Sequence, residues 1–180
     1  MYEKTLKSER VYEGRILSLD VLDVELDNGV HSMREVVRHH GAVAVLAVLD
    51  DGTLVLVRQF RKAADREFTE VVAGLLEPGE QPEDCARREL REETGYNAVH
   101  IEKLVSMYPS PGYVDETIEV FLAWVDGMPG DTEPDHDELL EVEMISCNEM
   151  HRRVMNGEIQ DAKTLVAWLL AEKRIAAGLP

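Results

Sequence analysis

With 180 residues, 44% hydrophobic and 31% charged, the chain has the make-up of one soluble globular domain with room for a small appendage. Its 36 acidic residues against 19 basic leave a formal net charge of −17. That excludes a nucleic-acid duplex as partner, because neutralising phosphates takes clustered Lys and Arg.

No apolar run is long enough to span a membrane, and the opening MYEKTLKSER has no apolar h-region, so a cytoplasmic protein is expected. Cys85 and Cys147 make neither a disulfide framework nor a zinc site, and read as small buried or half-buried fillers.

In chain order, residues about 11 to 37 read as a small antiparallel β-unit, with Asn28-Gly29 as its hairpin signal. Ala42 to Leu49 is a continuous apolar run that fits a strand buried on both faces, and Asp51-Gly52 turns it into a second such strand, Leu54 to Phe60. Arg61 to Thr69 reads as a polar loop leading to Glu70-Val71-Val72-Ala73-Gly74. A helix is expected over Pro82 to Thr94, with proline at N1, acidic residues in the first turn and Gly95 at C′. Strands follow at about Val99–Met107, Thr117–Val125 and Leu139–Ile145, then helices at about Asn148–Asn156 and Ala162–Ala176. Helices interspersed among strands indicate a mixed sheet covered on both faces, an α/β (α+β) architecture. Gly127 to Asp137 reads as a long acidic loop, and loops of that length are often functional. His39-His40 lacks metal-ligand spacing and reads as structural.

The helix over Pro82–Thr94 poses a physical question. It carries Glu83, Asp84, Glu89, Glu92 and Glu93 against Arg87, Arg88 and Arg91, with an apolar stripe of little more than Cys85, Ala86 and Leu90. Glu89 and Glu93 share a face and repel by a few tenths of a kcal/mol, so positive charge must come from somewhere. Arg88 stands four residues before Glu92 and can pair with it. Hard oxygen donors clustered in this way are what Mg²⁺ or Mn²⁺ prefers.

The order of residues is more restrictive than the composition. Gly74, five residues, Glu80, seven residues, then Arg88-Glu89-Leu90-Arg91-Glu92-Glu93-Thr94-Gly95-Tyr96 resembles the Nudix box at every specified position, Tyr96 standing where an aliphatic is common. Within that family the chain resembles ADP-ribose pyrophosphatases. Val57-Arg58-Gln59-Phe60-Arg61 is similar to their V-x-Q-F/Y-R segment. Glu70-Val71-Val72-Ala73-Gly74 is similar to their E-L-P-A-G, with Val72 in place of proline. Tyr108-Pro109-Ser110-Pro111-Gly112, continued by Asp115-Glu116, puts Pro111 fifteen residues past Tyr96, as that subfamily does.

The resemblance implies a Nudix-type α/β/α sandwich over residues 41–180 and an N-terminal β-unit, residues 1–40, that builds a homodimer. It implies Mg²⁺-dependent hydrolysis of a nucleoside diphosphate linked to another moiety, ADP-ribose foremost, with GDP-mannose or a non-catalytic nucleotide-sensing role as alternatives. Glu89, Glu93, the Ala73 carbonyl and Glu138 would then ligate metal, with Glu92 contributing. Glu80 and Arg88 would orient those ligands, Arg88, Glu92 and Glu93 counting among the catalytic set. Arg61 is the candidate diphosphate clamp, with Glu70 beside it in the substrate site. Arg34 and Glu35 fall where contacts from the partner subunit to the nucleotide base are expected, although Arg34 replaces an aromatic found in some relatives. The general base stays open between Glu138, Asp137 and His136.

Overall fold

The computed structural model describes residues 1–133 and 139–178. They form two compact units. One is Met1–Gly41 together with Tyr108–Thr117, and the other contains Ala42–Met107 and the chain from Ile118 onward. Among the described residues no helix is long and apolar enough to cross a membrane.

The first unit is a three-stranded antiparallel sheet of β1 (Glu3–Glu13), β2 (Leu17–Leu26) and β3 (His31–His39), in that spatial order. Gly29, at φ 78°, makes the turn between β2 and β3, as the Asn-Gly pair indicates. Strand β1 escapes the sequence reading because its eleven residues, EKTLKSERVYE, carry no apolar alternation and all are exposed. It is held by pairing to β2 and by charge. Arg10 Nε donates to Asp20 at 2.7 Å, and Arg38 Nε donates to the other oxygen of Asp20 at 2.9 Å. The segment Tyr108–Thr117 docks on β3. Val37 N donates to Tyr113 O, Asp115 N donates to Val37 O, and the Asp115 carboxylate accepts from Arg38 Nη1 and His39 N. His39 Nδ1 accepts from Gly41 N, a local structural contact.

The second unit contains β4 (Ala42–Leu49), β5 (Thr53–Arg61), β6 (Arg66–Glu70), β7 (Val72–Leu75), α1 (Pro82–Thr94), β8 (Ala98–Met107), β9 (Ile118–Val125), β10 (Leu140–Ser146), α2 (Cys147–Met155) and α3 (Ala162–Ala177). The sheet runs β10-β5-β4-β9-β8, with β6 on β5 and β7 on β4. Strands β4 and β9 are parallel and the other pairs antiparallel, so the sheet is mixed.

The apolar runs of β4, β5 and β9 serve both faces, as period-2 geometry requires. Ala44, Leu46, Leu54, Leu56, Val120 and Leu122 point to a core shared with Met150 of α2 and with Ala167, Trp168 and Ala171 of α3. Val43, Val45, Val55, Val57, Phe121 and Ala123 face Cys85, Ala86 and Leu90 of α1. The result is an α/β/α sandwich.

The expectation of a loop over Arg61–Thr69 is corrected by the structure, where β6 pairs with β5 from Val57↔Glu70 to Arg61↔Arg66. Its sequence, REFTE, is too charged to show alternation, and the turn into it uses Asp65 at φ 55°. This hairpin matters for the site. Strand β4 pairs with β5 at Ala47 and Val48, then with β7 from Val45 back to Ala42. The fork brings Ala73-Gly74 beneath α1.

Helix α1 begins at Pro82 and ends where Gly95, at φ 75°, donates its N–H to Arg91 O at 2.8 Å. A Cβ on Gly95 would lie 2.4 Å from Gly130 O, a backbone atom that cannot swing aside. Gly95→Ala is therefore expected to cost roughly 2 to 4 kcal/mol, combining left-handed strain with that clash. Melting followed by circular dichroism should fall by about 5 °C or more. A shift below about 1 °C would show that the turn relaxes freely and that this helix end does not depend on glycine.

Candidate active site

The buried stripe of α1 fixes which of its charged residues face β7. Cys85, Ala86 and Leu90 are fully buried, and Tyr96 beyond the helix end, 5% exposed, joins the same core as an aliphatic would. With those residues anchored, Glu89 falls beside β7, and Glu93 follows one turn on along the same helix face. Glu93 is 4% exposed.

On the strand side, Ala73 pairs with Ala44 and Gly74 with Val43. A Cβ built on Gly74 would sit 1.9 Å from the carboxyl carbon of Glu89. Glycine is thus required here for close approach, and the Glu89 carboxylate rests against the backbone next to the Ala73 peptide. Val72, where the related proteins carry proline, is a fully buried core residue paired with Val45.

Arg88 supplies positive charge to the helix. Its Nε and Nη2 grip the two oxygens of Glu80 at 2.8 and 2.9 Å, and its Nη1 donates to Glu89 and, at 3.2 Å, to Glu92. Nη2 also reaches Leu75 O at 3.3 Å. The Glu80 carboxylate additionally accepts from Glu77 N at 3.0 Å. The Arg88 hydrogen bond, with that backbone donor, lowers the Glu80 carboxyl to about 2. Arg88 itself is held well above its ordinary value, first by Glu80 and then by Glu89. Cys85 lies against this cluster, and burial pushes its thiol up to about 12, so it is an inert filler.

A second charge centre lies between β5, β6 and α3. Glu70 is 1% exposed. Its carboxylate receives both arms of Arg61, Nε at 2.9 Å and Nη2 at 2.7 Å, and also the ammonium of Lys163. Burial acts to raise the Glu70 carboxyl, but the two cations together bring it below its ordinary value. Arg61 is raised chiefly by Glu70 and also feels the charge of Glu93, so the two centres are electrostatically linked. Lys163 is absent from the sequence-derived set. It lies 93 residues from Glu70 in the chain, with no motif around it to point there.

The structure thus gathers Arg61, Glu70, Ala73, Glu80, Arg88, Glu89, Glu92 and Glu93 in one unit. Arg34 and Glu35 belong to the other. There Arg34 is engaged bidentately by Glu3 at 3.0 and 2.7 Å, and both residues line an open groove of about 510 Å³ with Tyr108, Pro111 and Tyr113. Glu138, Asp137 and His136 lie outside the described residues.

Among the described residues no three His, Cys, Asp or Glu side chains are gathered about a common point as a cation would gather them. Arg88 instead engages the carboxylates of Glu80, Glu89 and Glu92. The donor set nonetheless fits a hard divalent cation. It offers carboxylate oxygens against the Ala73-Gly74 backbone, in a cradle that a Cβ at position 74 would fill.

Known proteins bear out the family. A model described as the NUDIX domain matches residues 38–169, and one described as a nucleoside diphosphate sugar hydrolase N-terminal domain matches residues 3–37. The ADP-ribose pyrophosphatase of Bacillus subtilis is 46% identical over 92% of this chain and 90% of its own length. A methanol dehydrogenase activator of Bacillus methanolicus is 41% identical over the same shares. A GDP-mannose pyrophosphatase of Yersinia enterocolitica is 37% identical over 83% of this chain and 82% of its own. The crystal structure of an ADP compounds hydrolase superposes with a TM-score of 0.85 at 25% identity, covering 98% of this chain and 96% of that one. With the box residues of α1 assembled over Gly74 and a domain match spanning most of the sequence, the chain belongs to the Nudix family of hydrolases.

Proposed function

We propose that the chain hydrolyses the diphosphate of ADP-ribose, giving AMP and ribose 5-phosphate, with Mg²⁺ as cofactor and Mn²⁺ able to replace it. The observation that carries this reading is the seating of the Glu89 carboxylate on the Gly74 backbone, in a chain 46% identical to an ADP-ribose pyrophosphatase. Glu89, Glu93, the Ala73 carbonyl and Glu138 hold the cation, with Glu92 contributing. When bound, the cation withdraws charge from the phosphate oxygens and lowers the pKa of the attacking water.

The rest of the work falls to side chains. Arg88 fixes Glu89 and Glu92 through the bonds it already makes, so these carboxylates keep their orientation as charge builds nearby. Arg61 donates to the diphosphate oxygens in the fork geometry that suits them. Glu138, or else Asp137 or His136, accepts the proton of the water that attacks phosphorus. Arg34 and Glu35, in the groove with Pro111, meet the nucleotide base. The enzyme acts as a homodimer joined through residues 1–40, in a reducing cytoplasm that suits its two free thiols.

GDP-mannose is the second reading, favoured by relatives named GDP-mannose pyrophosphatase at 37% identity. A panel of nucleoside diphosphate compounds incubated with Mg²⁺, with products separated by chromatography, decides between them. Fastest turnover of ADP-ribose to AMP supports the proposal, and a clear preference for GDP-mannose replaces it.

Two variants probe the site. Glu93→Gln keeps size but removes charge, and kcat should fall roughly 10²-fold or more. Near-normal turnover at saturating Mg²⁺ would remove Glu93 from the metal set. Gly74→Ala meets the Cγ, carboxyl carbon and Oε1 of Glu89, a flexible side chain that has to swing aside. Its melting temperature should therefore change little, while kcat/KM drops about 10²-fold as that carboxylate is displaced. Full activity in a folded Gly74→Ala protein would show that the seating of Glu89 is incidental.

A further inference from the structure

The two cations on Glu70 are not equivalent. The side chain of Arg61 is 40% exposed, whereas that of Lys163 is 12% exposed. Lys163 is also fixed from behind. Its ammonium donates to Asp161 Oδ1 at 2.9 Å. Asp161 caps α3 by accepting from Thr164 N at 2.9 Å and from Thr164 Oγ1 at 2.6 Å. Thr164 Oγ1 in turn accepts from Val71 N at 2.9 Å, tying the start of α3 to the residue next to Glu70. Arg61, at the end of β5, hydrogen-bonds through Nε and Nη2 to Glu70, and among the described residues it also feels the charges of Asp161 and Glu93.

A buried carboxylate stripped of its only counter-charge is strongly destabilised. If Arg61 alone neutralised Glu70, a phosphate could recruit the guanidinium only by exposing Glu70 to that penalty. Lys163 removes most of it.

We infer that Lys163 is a positioning residue that keeps Glu70 neutralised so that Arg61 can be shared with, or released to, an anionic diphosphate. This rests on the proposed contact between Arg61 and the substrate. Lys163 touches no reacting atom. It sets how tightly Glu70 holds the arginine, and so acts on substrate affinity rather than on the chemical step. The pair forms a built-in competition in which one carboxylate and one ligand contend for the same guanidinium, with the lysine setting the balance.

Steady-state kinetics with ADP-ribose and Mg²⁺ test this on five proteins: wild type, Lys163→Met, Lys163→Arg, Glu70→Gln, and Lys163→Met combined with Glu70→Gln. Lys163→Met leaves Glu70 paired with Arg61, so the fold should hold, and melting curves check that it does. KM should rise about tenfold with kcat within about twofold, the signature of lost uniform binding. Lys163→Arg should recover most of the affinity. In the Glu70→Gln background the same lysine change should leave KM almost unmoved, because no buried charge remains to hold Arg61.

A tenfold rise that persists with Gln at position 70 would mean that Lys163 meets the substrate itself, and would overturn the positioning role. So would a fall in kcat at constant KM, or a KM unaffected by Lys163→Met. If wild-type protein turns over no nucleoside diphosphate compound in the panel, the functional reading fails first and this inference falls with it.

Discussion

Arg88 is the charge on which the geometry of α1 depends. Three carboxylates from one short stretch, Glu80, Glu89 and Glu92, meet a single guanidinium. A lysine could not replace it, since its ammonium offers one point of charge where the planar fork serves Glu80 with two arms and still reaches the others. The grip on Glu80 ties the loop between β7 and α1 to the helix, and Nη2 reaches across to Leu75 O at the end of the strand that carries Ala73 and Gly74. The crowding of acidic residues on α1 is thereby made compatible with a stable helix before any ligand enters. The Glu89 carboxylate, held by Arg88, stays seated on the Gly74 backbone.

The second charge centre follows a different logic. Around Arg88 the carboxylates are part-exposed and water shares the cost of charge, whereas Glu70 is almost wholly enclosed and must be neutralised by protein alone. Buried ion pairs contribute little net stability once desolvation is counted, and their known uses lie in specificity and switching. Arg61 and Lys163 meet two carboxylates here, Glu70 and Asp161, so Glu70 has a counter-charge in Lys163 beside the one in Arg61. In a chain of net charge −17, an anionic substrate is repelled by the surface at large and depends on such local cations.

Legibility in the sequence tracked burial and local chemistry. Helix α1 was readable to the residue, because Pro82 and Gly95 are punctuation with a physical cause at each end. Strands β4, β5 and β9 were readable because burial on both faces leaves unbroken apolar runs. Strands β1 and β6 were not. Both are charged strands whose existence depends on pairing with a neighbour, and REFTE or EKTLKSERVYE carries no periodic trace of that. At the site, the residues of the Nudix box were legible through their resemblance to the family pattern. What spacing could not reveal was that Arg88 serves Glu80 and Glu89 as well as Glu92, or that Gly74 is needed because a carboxylate lies where its Cβ would be. Lys163 was invisible because its partner lies 93 residues away, and only the folded sheet brings β6 to the start of α3.

The N-terminal unit shows the opposite balance between charge and core. Among its described residues Val24 is the buried hydrophobic, while Tyr2, Leu6, Val11, Tyr12 and Met33 are all exposed. Its cohesion comes from strand pairing and from the chain of ion pairs running Arg10, Asp20, Arg38, Asp115. A sheet of three strands with so little buried apolar surface is marginal by itself. Part-exposed ion pairs add at most about 1 kcal/mol each. The proposed second copy of the chain would cover the apolar side chains exposed along β1, through an isologous contact in which the same strand faces itself or its neighbour. The −17 charge sets the opposing term, because two such chains repel, and association must be driven by apolar burial large enough to overcome it.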